Sequence, residues 1–128
     1  MFKSITTLVL VSVILLGYPQ TSAAEQVKIQ DVKDIISSYA LLYNDTDVIL
    51  QKIAKCESSL NPKAWNKSDP HGGSKGLFQF QNSTFYNYAK ILEIENPDIW
   101  NVEQQAEIAS YMVSIGEAHQ WTCFRKSV

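Results

Sequence analysis

Apolar positions recur at helical spacing in four stretches of this chain. Over 27–43, Val32, Ile35, Ile36, Tyr39, Leu42 and Tyr43 fall three and four apart, which predicts an amphipathic helix. Asn44-Asp45-Thr46-Asp47 is a polar break, with Asp47 placed to cap the next helix. That second helix runs from Val48 to Glu57, with Ile49, Ile53, Ala54 and Cys56 on its apolar side. A third begins at Asn82 or Ser83 and reaches Leu92, carrying Phe85, Tyr88, Ala89 and Leu92 in one stripe before Asn96-Pro97. A fourth begins at Asn101, where Gln104 three positions on completes a capping box. Val102, Ala106, Ala109 and Val113 mark one of its faces, and Ile108, Met112 and Ile115 another. A helix apolar over so much of its circumference belongs at the centre of a domain. Gly116 is placed to end it.

Residues 58–76 break this pattern. Pro62, Pro70, Gly72, Gly73 and Gly76 stand among polar residues and define a loop. A loop that long in a small domain is often functional. Leu77-Phe78-Gln79-Phe80 then forms a short apolar segment, readable as a strand or as a buried turn. The expected class is mainly α, with at most a minimal hairpin.

The first 24 residues read as an address. Lys3 gives a basic start, Ile5 to Leu16 an apolar run, Gly17-Tyr18-Pro19 a break, and Ser22-Ala23-Ala24 a small-residue cleavage site. This matches a secretory signal peptide over 1–24, with a domain over 25–128. An uncleaved anchor is the alternative, although the run of about 12 residues is short against the roughly 20 that span a bilayer. Both readings place the domain in an exported compartment, periplasmic or extracellular.

The whole chain has 128 residues, enough for one domain, and a net charge of −2. Loss of Lys3 leaves 10 positive against 13 negative side chains, or −3. That balance argues against nucleic acid as a partner, because phosphate binding needs a basic surface. Two cysteines, Cys56 and Cys123, remain in the exported domain. An even pair there fits one disulfide, worth on the order of 4 kcal/mol by loop entropy. Buried free thiols are the alternative. A zinc site with His71 and His119 would match no common ligand spacing.

Glu57 is the strongest candidate for chemistry. It lies four residues after Ile53 and three after Ala54, so it emerges from the buried face of its helix. Desolvation favours its neutral form, and the negative end of the helix dipole acts in the same direction. A carboxyl that holds its proton beside a polar loop suits general acid catalysis. A helix-end glutamate pointing into solvent is the bland alternative.

The neighbouring residues add a resemblance. Cys-Glu-Ser-Ser at 56–59, Asn61-Pro62, Ala64 and Gly-Gly-Ser-Lys-Gly-Leu-Phe-Gln-Phe at 72–80 resemble the lysozyme-like superfamily, in particular the soluble lytic transglycosylases. Cys-Glu-Ser, Gln79-Phe80, Ser83-Thr84-Phe85, Glu103-Gln104-Gln105 and Trp121-Thr122-Cys123 also resemble the catalytic domain of resuscitation-promoting factors. Together the resemblances cover about residues 48–124 and leave the first helix outside. They imply a small lysozyme-like domain, mainly α or α+β, with Glu57 as the sole catalytic acid and a Cys56–Cys123 disulfide. They also imply substrate-binding roles for Gln79, Thr84 and Gln105. The late Ala-Tyr-Asn motif of many transglycosylases is missing, and Ser110-Tyr111-Met112 is the nearest piece, which makes Tyr111 a weaker substrate-binding candidate. Trp65 in the long loop is placed either to stack on a sugar or to cover a helix end.

The activity so implied is cleavage of the β-1,4 bond between N-acetylmuramic acid and N-acetylglucosamine in peptidoglycan. Glu57 acts as acid and then as base, with no metal or cofactor. Asp69 is the other acid in the loop and is readable as a second carboxylate or as turn chemistry. A lysozyme-type hydrolase and a non-catalytic glycan-binding module are the alternatives. The expected partner is the glycan strand, bound by a monomer without a stable membrane span after cleavage. A secretion or conjugation machine is a further partner class.

Overall fold

The structure, a computed structural model, describes residues 23–126 in backbone and 28–126 in side-chain placement. The expected signal segment falls almost entirely outside the described residues. No helix among those described is long and apolar enough to cross a membrane.

Among the described residues, five α-helices carry the fold: α1 (Ala23–Leu42), α2 (Asp47–Ser58), α3 (Asn82–Ile91), α4 (Val102–Ser114) and α5 (Thr122–Arg125). A 3-10 turn, Glu117–Gln120, joins α4 to α5. The described residues therefore form a small, mainly α domain. Helix α4 is the centre, with α1, α2 and α3 packed against it. Its Ala106, Ile108, Ala109 and Met112 are buried, as its broad apolar circumference requires.

The long loop contains a two-stranded antiparallel hairpin, β1 (Trp65–Asn66) and β2 (Ser74–Lys75), with Trp65 opposite Lys75 and Asn66 opposite Ser74. The apolar segment after it is a buried turn. The Lys75 and Phe80 backbones exchange hydrogen bonds at 2.9 and 2.8 Å, with Leu77 and Phe78 enclosed between them. The aromatic rings of Phe78, Phe80, Phe85 and Trp121 then pack with centroids 5.7 to 6.1 Å apart.

Several local expectations need correction. Leu42 ends α1 and is exposed, because the chain turns away through left-handed backbone at Asn44 and Asp45; Val32, Ile36 and Ala40 fill the core instead. Thr46, and not Asp47, occupies the N-cap of α2, and Asp47 accepts hydrogen bonds from Ser37 Oγ at 2.8 Å and Gln51 Nε2 at 3.1 Å. Leu50 replaces Ile49 as the deep residue of that helix. At α4, Asn101 does accept from the Gln104 N–H at 2.9 Å. The Gln104 side chain reaches past Asn101 to accept from the Asp98 N–H at 2.7 Å, so only half of the capping box forms.

Candidate active site

The end of α2 is tied to the rest of the molecule at three consecutive residues. Cys56 is joined to Cys123 by a disulfide across 67 positions, which settles the fate of both thiols. Glu57 Oε1 accepts a hydrogen bond from the Cys123 backbone N–H at 3.3 Å. Ser58 Oγ donates to the carbonyl of Leu77 at 2.8 Å. The helix terminus, the C-terminal turn and the Gly76-Leu77-Phe78-Gln79 segment are thus fixed to one another.

Glu57 is half-buried beside a groove of about 350 Å³. Asp69, Ser74, Gln79, Gln81, Thr84 and Gln120 give that groove polar walls, while Phe80, Met112 and Trp121 supply apolar surface. Burial raises the Glu57 carboxyl above its ordinary range. The Cys123 N–H opposes this by bonding the ionised form, the negative charge of Asp69 adds to the rise, and the positive charge of Lys126 weakens it. The outcome is an acid that holds its proton more firmly than a surface glutamate.

Gln79 and Thr84 line the groove. Gln79 sits in left-handed backbone (φ 51°), and its Nε2 donates to Gly76 O at 2.9 Å and Ala64 O at 3.3 Å. No described residue donates to its Oε1, so that oxygen keeps its acceptor capacity. Asp69 also lines the groove, where the Ser74 hydroxyl donates to its Oδ2 at 2.5 Å.

Two expected contact residues lie elsewhere. Gln105 is completely buried and outside the groove lining. Its Oε1 accepts the Leu77 N–H at 2.7 Å, and its Nε2 donates to Ile99 O at 2.8 Å and Pro62 O at 3.4 Å. A Cβ at Gly76 would overlap the Gln105 carboxamide, and Gly76 also sits at φ +78°. The polar groups of Gln105 are therefore spent on the loop, as buried amides must be. Tyr111 is also absent from the groove lining. Its ring meets Tyr43 at 6.0 Å and Tyr88 at 6.1 Å, both edge-on, on the side of α4 where Tyr43 donates to Glu107.

Sequence patterning missed Ser74, Gln81, Gln120 and Thr122, because nothing local marks a polar residue that a turn brings to a cleft. Trp121 Nε1 donates to Phe78 O at 2.7 Å and so ties the C-terminal turn to the loop. It also forms part of the groove wall.

A helix-end carboxyl whose pKa is raised by burial thus stands beside a groove with mixed polar and apolar walls. The transglycosylase SLT domain model matches residues 34–117, about two thirds of the chain. The chain belongs to the transglycosylase SLT domain family. Domains of this family act on peptidoglycan, outside the cytoplasm, and the disulfide fits an exported protein. No curated protein and no solved structure matches at a significant level.

Proposed function

We propose that this protein is an exported lytic transglycosylase that cuts the β-1,4 bond between N-acetylmuramic acid and N-acetylglucosamine, with Glu57 as its catalytic residue. The observation that carries the reading is the half-buried Glu57, its carboxyl raised by burial, on the wall of a groove of about 350 Å³. Membership of the SLT family supports the substrate. The signal segment over 1–24 supplies the export route.

In the proposed reaction the Glu57 carboxyl gives its proton to the glycosidic oxygen while the bond from that oxygen to C1 breaks. The oxygen of the sugar's own 2-acetamido group stabilises the positive charge that develops at C1. The 6-hydroxyl oxygen then bonds to C1, and the Glu57 carboxylate takes the hydroxyl proton. An anhydro ring results, and Glu57 returns to its starting state. Gln79 Oε1 and the Thr84 hydroxyl orient the sugar.

Asp69 favours a second reading, hydrolysis of the same bond in the manner of lysozyme. It is a carboxylate on the same groove wall, oriented by Ser74. Two carboxyls serve ordinary glycoside hydrolysis, one as acid and one acting on water or on C1.

Product masses from purified cell walls decide. Anhydro ends carry one water fewer than reducing ends, so the first reading expects anhydro products and the second reducing products. Glu57→Gln is expected to abolish both. Unchanged turnover by that variant would remove Glu57 from the mechanism.

A further inference from the structure

Outside the groove, the hairpin carries a cluster of aromatic and cationic side chains that the proposed chemistry does not use. Trp65 is 50% exposed in a chain whose other two tryptophans are better covered. The Lys67 ammonium lies 4.5 Å from its ring centroid, and that of Lys75 5.6 Å away. Trp100 meets Trp65 edge-on at 6.1 Å, and the Lys63 ammonium lies 5.9 Å from the Trp100 ring.

These three lysines carry local positive charge in a chain that is negative overall. Among the described residues, none of them forms an ion pair with a carboxylate. The nearby acids have other partners: Asp69 accepts from Ser74, and Asp98 accepts the Trp100 backbone N–H. Lys63 donates to Trp100 O at 3.2 Å and Lys75 to Asn82 Oδ1 at 2.8 Å. Each ammonium has three N–H donors, so both retain donors for a ligand.

The cluster adjoins the groove. Successive residues of a strand present opposite faces. Ser74 turns to Asp69 on the groove side, and Lys75 turns to Trp65 on the other. Lys75 is held by Asn82, the residue after groove-lining Gln81 and two before Thr84. A polymer lying in the groove therefore passes this hairpin with its substituents close to the cluster.

We propose that this face docks the carboxylate-bearing peptide stem of the strand held in the groove. The proposal rests on the peptidoglycan reading above. The stem is joined to the muramic acid that the groove would hold, so it is delivered to the cluster by the same chain. Its carboxylates match the three ammonium groups, and its apolar side chains match the exposed indole. The cluster thus sets a preference for stem-bearing over naked glycan.

The test uses Glu57→Gln protein, which binds without cutting, and glycan strands with stems or with stems removed by an amidase. Stem-bearing strands are expected to bind about tenfold tighter at low salt. The preference is expected to fade near 0.5 M salt, where charges several ångströms apart are largely screened (Debye length about 3 Å at 1 M and 10 Å at 0.1 M). Lys63→Gln with Lys67→Gln is expected to erase the preference, and Lys63→Arg with Lys67→Arg to keep it. Equal binding of both strand types, or a preference that survives the glutamine pair, overturns the proposal. A preference that follows attached wall phosphopolymer instead of the stems overturns it as well. Product formation by the unaltered protein on stem-free strands tests the catalytic reading separately: cutting without any stem preference sinks only the docking face, and stem preference without cutting sinks only the catalysis.

Discussion

The backbone N–H of Cys123 donates to the carboxylate of Glu57 at 3.3 Å, one residue along from the disulfide that joins Cys123 to Cys56. The candidate acid thus follows one half-cystine in the chain and accepts a hydrogen bond from the other. A bond that staples the C-terminal turn to α2 also brings a hydrogen-bond donor to the group that would do the chemistry. On the proposed mechanism, stability and activity are coupled at this point.

Loss of the disulfide tests that coupling. Cys56→Ser with Cys123→Ser is expected to lower unfolding free energy by on the order of 4 kcal/mol in urea titrations. Cell-wall turnover under conditions where the variant remains folded is expected to fall too, because the C-terminal turn is released from Glu57. A folded double variant with full turnover would separate the two roles.

The charges around Glu57 predict opposite movements in the pH profile. An acid catalyst must be protonated, so activity falls as pH rises through its pKa. Asp69 raises that pKa and Lys126 lowers it. Asp69→Asn is expected to move the alkaline limb of kcat/KM to lower pH, and Lys126→Gln to move it to higher pH. If Asp69 itself attacks or activates water, Asp69→Asn abolishes turnover instead of shifting its profile.

Glu57 carries a stability cost that its removal exposes. Its folded-state pKa lies above the unfolded value, so its contribution to stability is fully present below the unfolded pKa of about 4.3 and is lost as pH rises through the folded pKa. Glu57→Gln keeps an oxygen to accept from the Cys123 N–H but does not ionise. The variant is therefore expected to match the parent in Tm near pH 4 and to exceed it modestly at neutral pH. A lower Tm across the range would contradict the burial argument.

Gln105 acts through the loop it holds. Gln105→Leu removes the partners of Leu77 N–H and Ile99 C=O inside the core and is expected to destabilise by about 1–3 kcal/mol. Thr84→Val leaves the core intact, so stability is expected to change little while KM for wall fragments rises. Denaturation midpoints and KM, measured on both variants, give the contrast; a Gln105→Leu protein of unchanged stability with only a raised KM would reverse the assignment.

The sequence by itself determined the helices, the Asn101 cap of α4 and the candidate acid at Glu57, because periodicity and capping act over three or four residues. The resemblance named Gln79 and Thr84, and both line the groove. The sequence could not decide between a strand and a buried turn at 77–80, since a short apolar run has no distinguishing period.

Tertiary structure alone decided which polar residues face the groove. Gln105 and Asp69 show why. Nothing beside Gln105 in the chain marks it as buried. It is sealed inward by Leu77, 28 positions away, and by a glycine whose missing side chain makes room for its amide. Asp69 reads locally as turn chemistry, but the hairpin folds it onto Ser74 and into the field of Glu57. Side-chain direction in a loop is set by long-range hydrogen bonds and charges, which have no period along the sequence.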